Sequence, residues 1–181
     1  KSKGFAMIYK ISTADFQKQS GDFDLIRIVG DFVYLNSDKS LKKPFVSVSD
    51  SELPIECAEA LNERENAIVT MREVKIREIN EARDNEIAQG VEYNGKIYQS
   101  DERDQMLITQ SVVLYSAQGK TPKGFAWIAK DNSFNEFSLQ DLIALGALVA
   151  KKVSDCYTKA RELKDKAIQA TTSADLAKIK W

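Results

Sequence analysis

From Ile55 to Gln89 the chain runs without a proline or a glycine and is dense in Glu, Arg, Ala, Asn and Ile. Such a run predicts one helix of roughly 34 residues, about 50 Å long at 1.5 Å per residue. Gly90 follows as a left-handed stop. Within the run Leu61, Ile68, Met71, Ile76 and Ile79 recur at mixed spacings of three, four and seven, and Arg64, Arg72, Lys75 and Arg83 interrupt any strict stripe. Two readings follow. The helix is either a solvated element held by Glu/Arg pairs and packed on one side, or a coiled-coil stalk joining several copies of the chain.

Ahead of this helix the sequence reads as β. Residues Phe23–Val29 and Phe32–Leu35 flank Gly30-Asp31, a two-residue step with glycine first, which suits a type II′ hairpin turn. Phe45–Ser49 alternates apolar with polar and follows Pro44, as an edge strand would. About three strands are expected, a sheet that needs a helix or a partner chain on its apolar face. Asp50–Pro54 links it to the helix.

Beyond Gly90 the punctuation is denser. Asn94-Gly95 lies within Val91–Gln99 and is a strong hairpin signal, because both residues accept positive φ. Ser100 or Asp101 caps a helix from Glu102 to about Gln118, ended by Gly119, with Met106, Ile108, Val112, Val113, Leu114 and Tyr115 as a broad apolar face. Phe125–Ala129 reads as a strand, Asp131-Asn132-Ser133 as a turn and Phe134–Phe137 as its return. These strands are expected to join the Tyr93/Tyr98 hairpin in one small sheet. Ser138 and Asp141 form a capping-box start for a helix to about Gln169. That helix is expected to bury Leu139, Leu142, Ile143, Gly146, Val149, Ala150, Val153, Cys156, Tyr157, Ala160, Leu163 and Ala167 on one face. Gly146 within it implies a close contact with another element. Thr172 and Asp175 cap a last short turn, and Trp181 prefers cover.

The fold class expected is α+β: a β segment over 1–54, a long charged helix or linker over 55–90, and a compact C-terminal domain over 91–181 in which short hairpins pack on two amphipathic helices.

An Arg/Glu-rich helix, Tyr93-Asn94-Gly95, Asp101, a Trp127 strand, the Asp131-Asn132 turn, a long Ala/Leu helix from Leu139 and the Ala170-Thr171-Thr172 break before a closing tryptophan follow in that order. From about Ile79 to Trp181 the chain thereby resembles a small domain of unknown function common at the C-terminal end of bacteriophage tail proteins. The resemblance implies a place, the virion tail or its fibres, assembled in the bacterial host cytoplasm, and no known chemistry. The first seventy-odd residues lie outside it.

The residues themselves offer little for catalysis. The sequence holds no histidine, which removes the usual general base and the commonest metal ligand. Cys57 and Cys156 have no second ligand at metal spacing and are expected as two reduced, partly buried thiols in helices. Asp101, Glu102 and Asp104 sit at a helix start, where negative charge meets the helix dipole. Ser111, Ser116 and Ser138 sit in neither a Gly-x-Ser-x-Gly elbow nor a Ser-x-x-Lys pair, and Gly119-Lys120-Thr121 lacks the earlier glycine of a phosphate-binding loop. No catalytic, cofactor-binding or metal-binding residue is expected.

With 26 basic and 27 acidic residues the formal charge is -1, which argues against a nucleic-acid partner. No apolar run is long enough to predict membrane insertion. The chain opens at Lys1 without a methionine, and so reads as part of a longer or processed product. Tyr93, Tyr98, Trp127, Phe134 and Phe137 could be the inner face of a sheet or a face for host surface glycan.

The expected function is a non-enzymatic structural or adaptor component of a phage tail or tail fibre, docking on other tail proteins and forming a homo-oligomer, with a trimer among the options. The alternatives are a tail-fibre assembly chaperone and a receptor-binding tip. Gly30, Gly90, Asn94, Gly95, Asp101, Gly119, Asp131, Asn132 and Ser138 are assigned to turns and caps; Leu61, Ile68, Ile76, Ile79, Trp127 and Trp181 to packing or interface.

Overall fold

The computed structural model describes residues 7–181, and the chain divides between Thr70 and Met71 into two compact units. The long helix α2 (Ile55–Ala88) supplies its first half to one unit and its second half to the other. From Ala58 to Glu78 no residue of α2 is buried.

The first unit is built on strands β1 (Met7–Ser12), β2 (Asp24–Val29), β3 (Phe32–Ser37) and β4 (Val46–Val48), with a short helix α1 (Thr13–Phe16) after β1. The sheet order is β2-β3-β1-β4, every neighbouring pair antiparallel. Sequence reading anticipated about three strands and missed β1, whose Met-Ile-Tyr-Lys-Ile-Ser run alternates weakly. By inserting between β3 and β4 it leaves β4 as an edge strand, as Pro44 suggested.

Val33, Tyr34 and Leu35 are buried in succession because both faces of this sheet are covered. Phe16, Phe23, Leu41 and Phe45 pack over Tyr9, Ile11, Val33 and Leu35 on one face. On the other, Cys57, Ala60 and Leu61 of α2 pack with Ile26, Tyr34 and Val48. The sheet therefore obtains its helical cover from the start of α2. Gly30 turns the β2-β3 hairpin with φ +54°. Arg64 reaches back from α2 to Asp24 at 3.1 Å and donates to the Leu25 carbonyl, at the register shift between Leu25 and Arg27.

In the second unit α2 ends at Ala88, with Ile79 and Ile87 buried. Gly90 takes φ +91°, and its N–H donates to the Ile87 carbonyl at 3.1 Å. Ser100, fully buried, donates its hydroxyl to the same carbonyl at 2.5 Å. Lys130 Nζ reaches the Ala88 and Gln89 carbonyls at 3.3 and 3.2 Å. Three separate groups thus satisfy the carbonyls that the helix end leaves open.

Strands β5 (Val91–Tyr93) and β6 (Lys96–Tyr98) close over Asn94 and Gly95, at φ +50° and +75°, the pair of positive values that an Asn-Gly hairpin turn requires. Helix α3 (Glu102–Gln118) starts on Asp101, whose carboxylate accepts from the Asp104 N–H, and stops at Gly119 with φ +72°. Strands β7 (Ala126–Ile128) and β8 (Phe134–Glu136) turn through Asp131-Asn132, Asn132 at φ +62°. Helix α4 (Leu139–Gln169) opens on a complete Ser138/Asp141 capping box, and α5 (Ser173–Lys178) on Thr172.

The two hairpins do not merge into one sheet, contrary to the sequence expectation. Each strand is three residues long, and the backbone link between the hairpins is the Lys130 N–H to the Ile97 carbonyl at 2.7 Å. Rings occupy the space instead: Phe137 meets Tyr93 and Tyr98 at centroid distances of 5.8 and 5.3 Å. Core residues Tyr98, Ile108, Phe137, Leu142, Leu145 and Val149 then join the hairpins, α3 and α4. A Cβ on Gly146 would lie 3.2 Å from Ile108 Cγ2, so this glycine lets α3 approach α4 closely.

The face expected of α4 needs correction. Ile143, Ala150 and Tyr157 are exposed and Leu145 is buried. At 100° per residue, Leu142, Leu145, Val149, Cys156 and Ala160 stay in one stripe, whereas the heptad-spaced Ile143, Ala150 and Tyr157 lie well to one side.

Arg72 donates Nε and Nη2 to the Ala170 carbonyl at 3.0 and 2.6 Å, holding the break after α4. Trp181 is partly covered, with Lys159 Nζ 4.3 Å from its ring centroid. Its indole N–H is buried beside the Glu86 carboxylate without closing a hydrogen bond of ordinary geometry. Cys57 and Cys156 are both free and buried.

A Cβ at Gly90 would meet the Tyr98 carbonyl oxygen at 2.4 Å, whereas one at Gly95 meets nothing within 4 Å. Gly90→Ala is therefore expected to destabilise the protein by about 3 kcal/mol and Gly95→Ala by about 1 kcal/mol, from left-handed strain alone in the second case. Urea unfolding of the two variants checks the difference; equal losses would remove the close contact from the account.

Candidate functional site

Among the surfaces that the second unit presents are a cleft beside α3 and α4 and the outer face of α3.

The cleft has two adjoining parts. One, of about 680 Å³, is lined by Arg83, Asp84, Asp101, Glu102, Gln105 and Tyr157 among others. The second, of about 440 Å³, shares Gln105, Val153 and Tyr157 and continues over Ile108, Gly146, Val149 and Ala150. Its polar groups are engaged with one another. Arg83 lies 4.6 Å from the Tyr157 ring centroid, donates to Asp84 at 2.8 and 3.0 Å, and donates to Asn80 at 3.2 Å. The Arg83 hydrogen bond holds the Asp84 carboxyl below its ordinary range.

Asp101 is likewise lowered, first by the Asp104 backbone N–H it accepts, while burial and then the Asp101 charge raise Asp104. This is the chemistry of a helix cap. Nothing in the cleft pairs a nucleophile with a base. Among the described residues no group of three His, Cys, Asp or Glu side chains could hold a metal, and no helix is long and apolar enough to cross a membrane.

The other carboxylates that sequence reading marked are structural too. Asp131 accepts from Lys96 Nζ at 2.7 Å and from the Ser133 hydroxyl and N–H, and these bonds lower its pKa strongly. Asp141 accepts from Ser138 at 2.5 Å and from the Tyr93 hydroxyl at 2.7 Å, with the Ser138 hydroxyl the largest cause of its lowered pKa. Of the five aromatics considered together, Tyr98 and Phe137 are buried, Tyr93 and Trp127 pack partly covered on the same core, and Phe134 alone is 77% exposed. They form a core, with one ring outside it.

The outer face of α3 is different in kind. Ile108 is buried, and Val112 and Tyr115 pack on the core. Met106, Val113 and Leu114, grouped with them in the sequence reading, instead point to solvent, at 56, 66 and 52% exposure, as does Leu107 at 42%. The correction follows from helix geometry: relative to Gln110, residues 106, 107, 113 and 114 fall within about 60°, on the side opposite Ile108. Gln110 and Ala117 are exposed on the same stripe.

From Gln105 to Gln118 there is no charged residue, in a chain of which 29% is charged. The run is uncharged without being apolar all round, since Thr109, Ser111 and Ser116 lie in it. One side meets the core, and Met106, Leu107, Val113 and Leu114 on the other are exposed. Leu107 and Gln110 were not singled out from sequence, although the uncharged run was the signal that could have found them.

Residues 70–180 match the model of DUF4376, a domain of unknown function. The chain belongs to this family. No curated protein and no solved structure matches it. The DUF4376 region takes in the last part of α2, both hairpins, α3, α4 and α5, so the cleft and the outer α3 face lie within the family domain.

Placement on two sides of one helix predicts opposite mutational responses. Ile108→Ala should cost about 3 kcal/mol through the cavity it leaves against α4. Val113→Gln and Leu114→Gln should each stay within about 0.5 kcal/mol. Chemical denaturation of the three variants reads this; a loss at Leu114 comparable to that at Ile108 would mean the outer face is already packed.

Proposed function

We propose that the chain is a non-enzymatic structural or adaptor component of a bacteriophage tail or tail fibre, working by protein–protein docking through the outer face of α3. The observation that carries this reading is the exposed, uncharged apolar stripe Met106, Leu107, Gln110, Val113 and Leu114 on a helix rigidly seated by Ile108 and Gly146. Exposed apolar surface on a well-packed element is characteristic of an interaction site. The tail assignment rests on the resemblance of residues 79–181 to the domain found at the C-terminal end of phage tail proteins. In this reading the protein resides in the virion tail, assembled in the host cytoplasm, and its partners are other tail proteins.

Quantitative mass spectrometry of purified particles from a phage encoding the chain tests it. The protein is expected in a fixed ratio to the tail subunits. Leu107→Glu should reduce its incorporation by about tenfold, because a charge buried in an apolar interface is strongly unfavourable. Absence from the particle, or undiminished incorporation of the variant, would contradict the reading.

A further inference from the structure

We infer that the occupant of the outer α3 face is a second copy of this chain, paired antiparallel about a two-fold axis through Gln110. The inference rests on the docking role proposed for this face and names its partner.

The argument begins with the arrangement of the stripe. Met106 and Leu107 lie four and three residues before Gln110; Val113 and Leu114 lie three and four residues after it. A two-fold axis at Gln110 therefore brings Met106 and Leu107 of one copy against Val113 and Leu114 of the other, apolar against apolar on both sides. Such self-complementarity is what an isologous interface requires. Gln110 meets its own symmetry mate, and a glutamine amide is both donor and acceptor, so it can hydrogen-bond to an identical group. A single polar residue in an apolar helix seam also fixes register.

Charge sets the direction. The first turn of α3 carries Glu102, Arg103 and Asp104, and Lys120 and Lys123 follow its last turn. Of the three, Arg103 lies on the stripe, about 20° from Gln110, whereas Asp104 lies about 120° away. In an antiparallel pair the exposed Arg103 faces the C-terminal carbonyls of the partner helix, which favour a cation. A parallel pair would instead set Arg103 against its own symmetry mate. The middle of α2 also exposes Val69, Met71 and Val74, but charged residues interrupt it at Arg72, Glu73 and Lys75 and it has no such symmetry.

Area sets the strength. Met106, Leu107, Val113 and Leu114 at their observed exposures offer roughly 400 Å² of apolar surface, half of the ~800 Å² per partner typical of a stable interface. The pair is accordingly a weak, reversible dimer at the low end of interface sizes.

Sedimentation velocity of the full chain over about 1–500 µM tests this. A monomer–dimer equilibrium is expected. Leu107→Glu and Leu114→Lys should each raise its Kd at least about tenfold with circular dichroism and thermal midpoint unchanged, and an equimolar mixture of the two variants should recover association. Under mild oxidant, Gln110→Cys should form a disulfide-linked dimer that the parent protein, whose Cys57 and Cys156 are buried, does not.

A monomer at every concentration, a trimer, or a dimer indifferent to both charged variants would overturn the inference. A monomeric chain that nevertheless needs Leu107 to enter tails would overturn the self-pairing alone and leave the adaptor reading standing. A dimer of the expected kind that is absent from tails would do the reverse.

Discussion

The second unit depends on how α2 ends. A helix of 34 residues leaves its last carbonyls unpaired, and here those of Ile87, Ala88 and the following Gln89 are met by Gly90, Ser100 and Lys130. Each comes from a different segment: the residue after the helix, the step between β6 and α3, and the turn between β7 and β8. Termination of one helix thereby fixes the entry to α3 and the position of the second hairpin. The Tyr98 carbonyl oxygen would lie 2.4 Å from any Cβ at position 90, so the first hairpin approaches in a way only glycine allows. Two hairpins of three-residue strands, marginal alone, are held by this junction and by the Tyr93, Tyr98 and Phe137 rings.

With its entry fixed by Ser100 and Asp101, and its exit by Gly119, α3 cannot rotate to hide its second apolar side. Gly146 brings the helix close to α4 through Ile108 and Val112, which commits one face to the core. The apolar residues of the other face stay exposed. The carboxylates that a search for chemistry would select are meanwhile occupied: Asp101 and Asp141 cap helices, Asp131 pins a turn, Asp84 holds Arg83 against Tyr157, and Glu86 pairs with Lys152 at 2.9 Å. These contacts fix the shape of the domain, and the outer α3 face is one of the surfaces it presents.

The parts legible in the sequence are those with local causes. The bounds of α3 and α4 follow from Asp101, Gly119 and Ser138, and the turns from Gly30, Asn94, Gly95 and Asn132, because capping and positive φ are properties of a few adjacent residues. Strand β1 and the separation of the two hairpins were not legible, since pairing depends on distant neighbours and, in the second case, on rings filling the gap between short strands. The same limit hid the α3 surface. A pattern of apolar residues says that a helix buries something; it does not say which of two apolar sides does so until Gly146 and Ile108 are seen to meet.

The most direct test of the account is oxidative footprinting of Met106, exposed on the α3 face, against Met71 on α2, exposed to a similar degree at 46%. Rates are compared between the dilute free chain and its assembled form. Protection of Met106 on assembly, with Met71 serving as the internal reference, is the predicted result. Equal oxidation of Met106 in both states would contradict the assignment of this face as the docking surface.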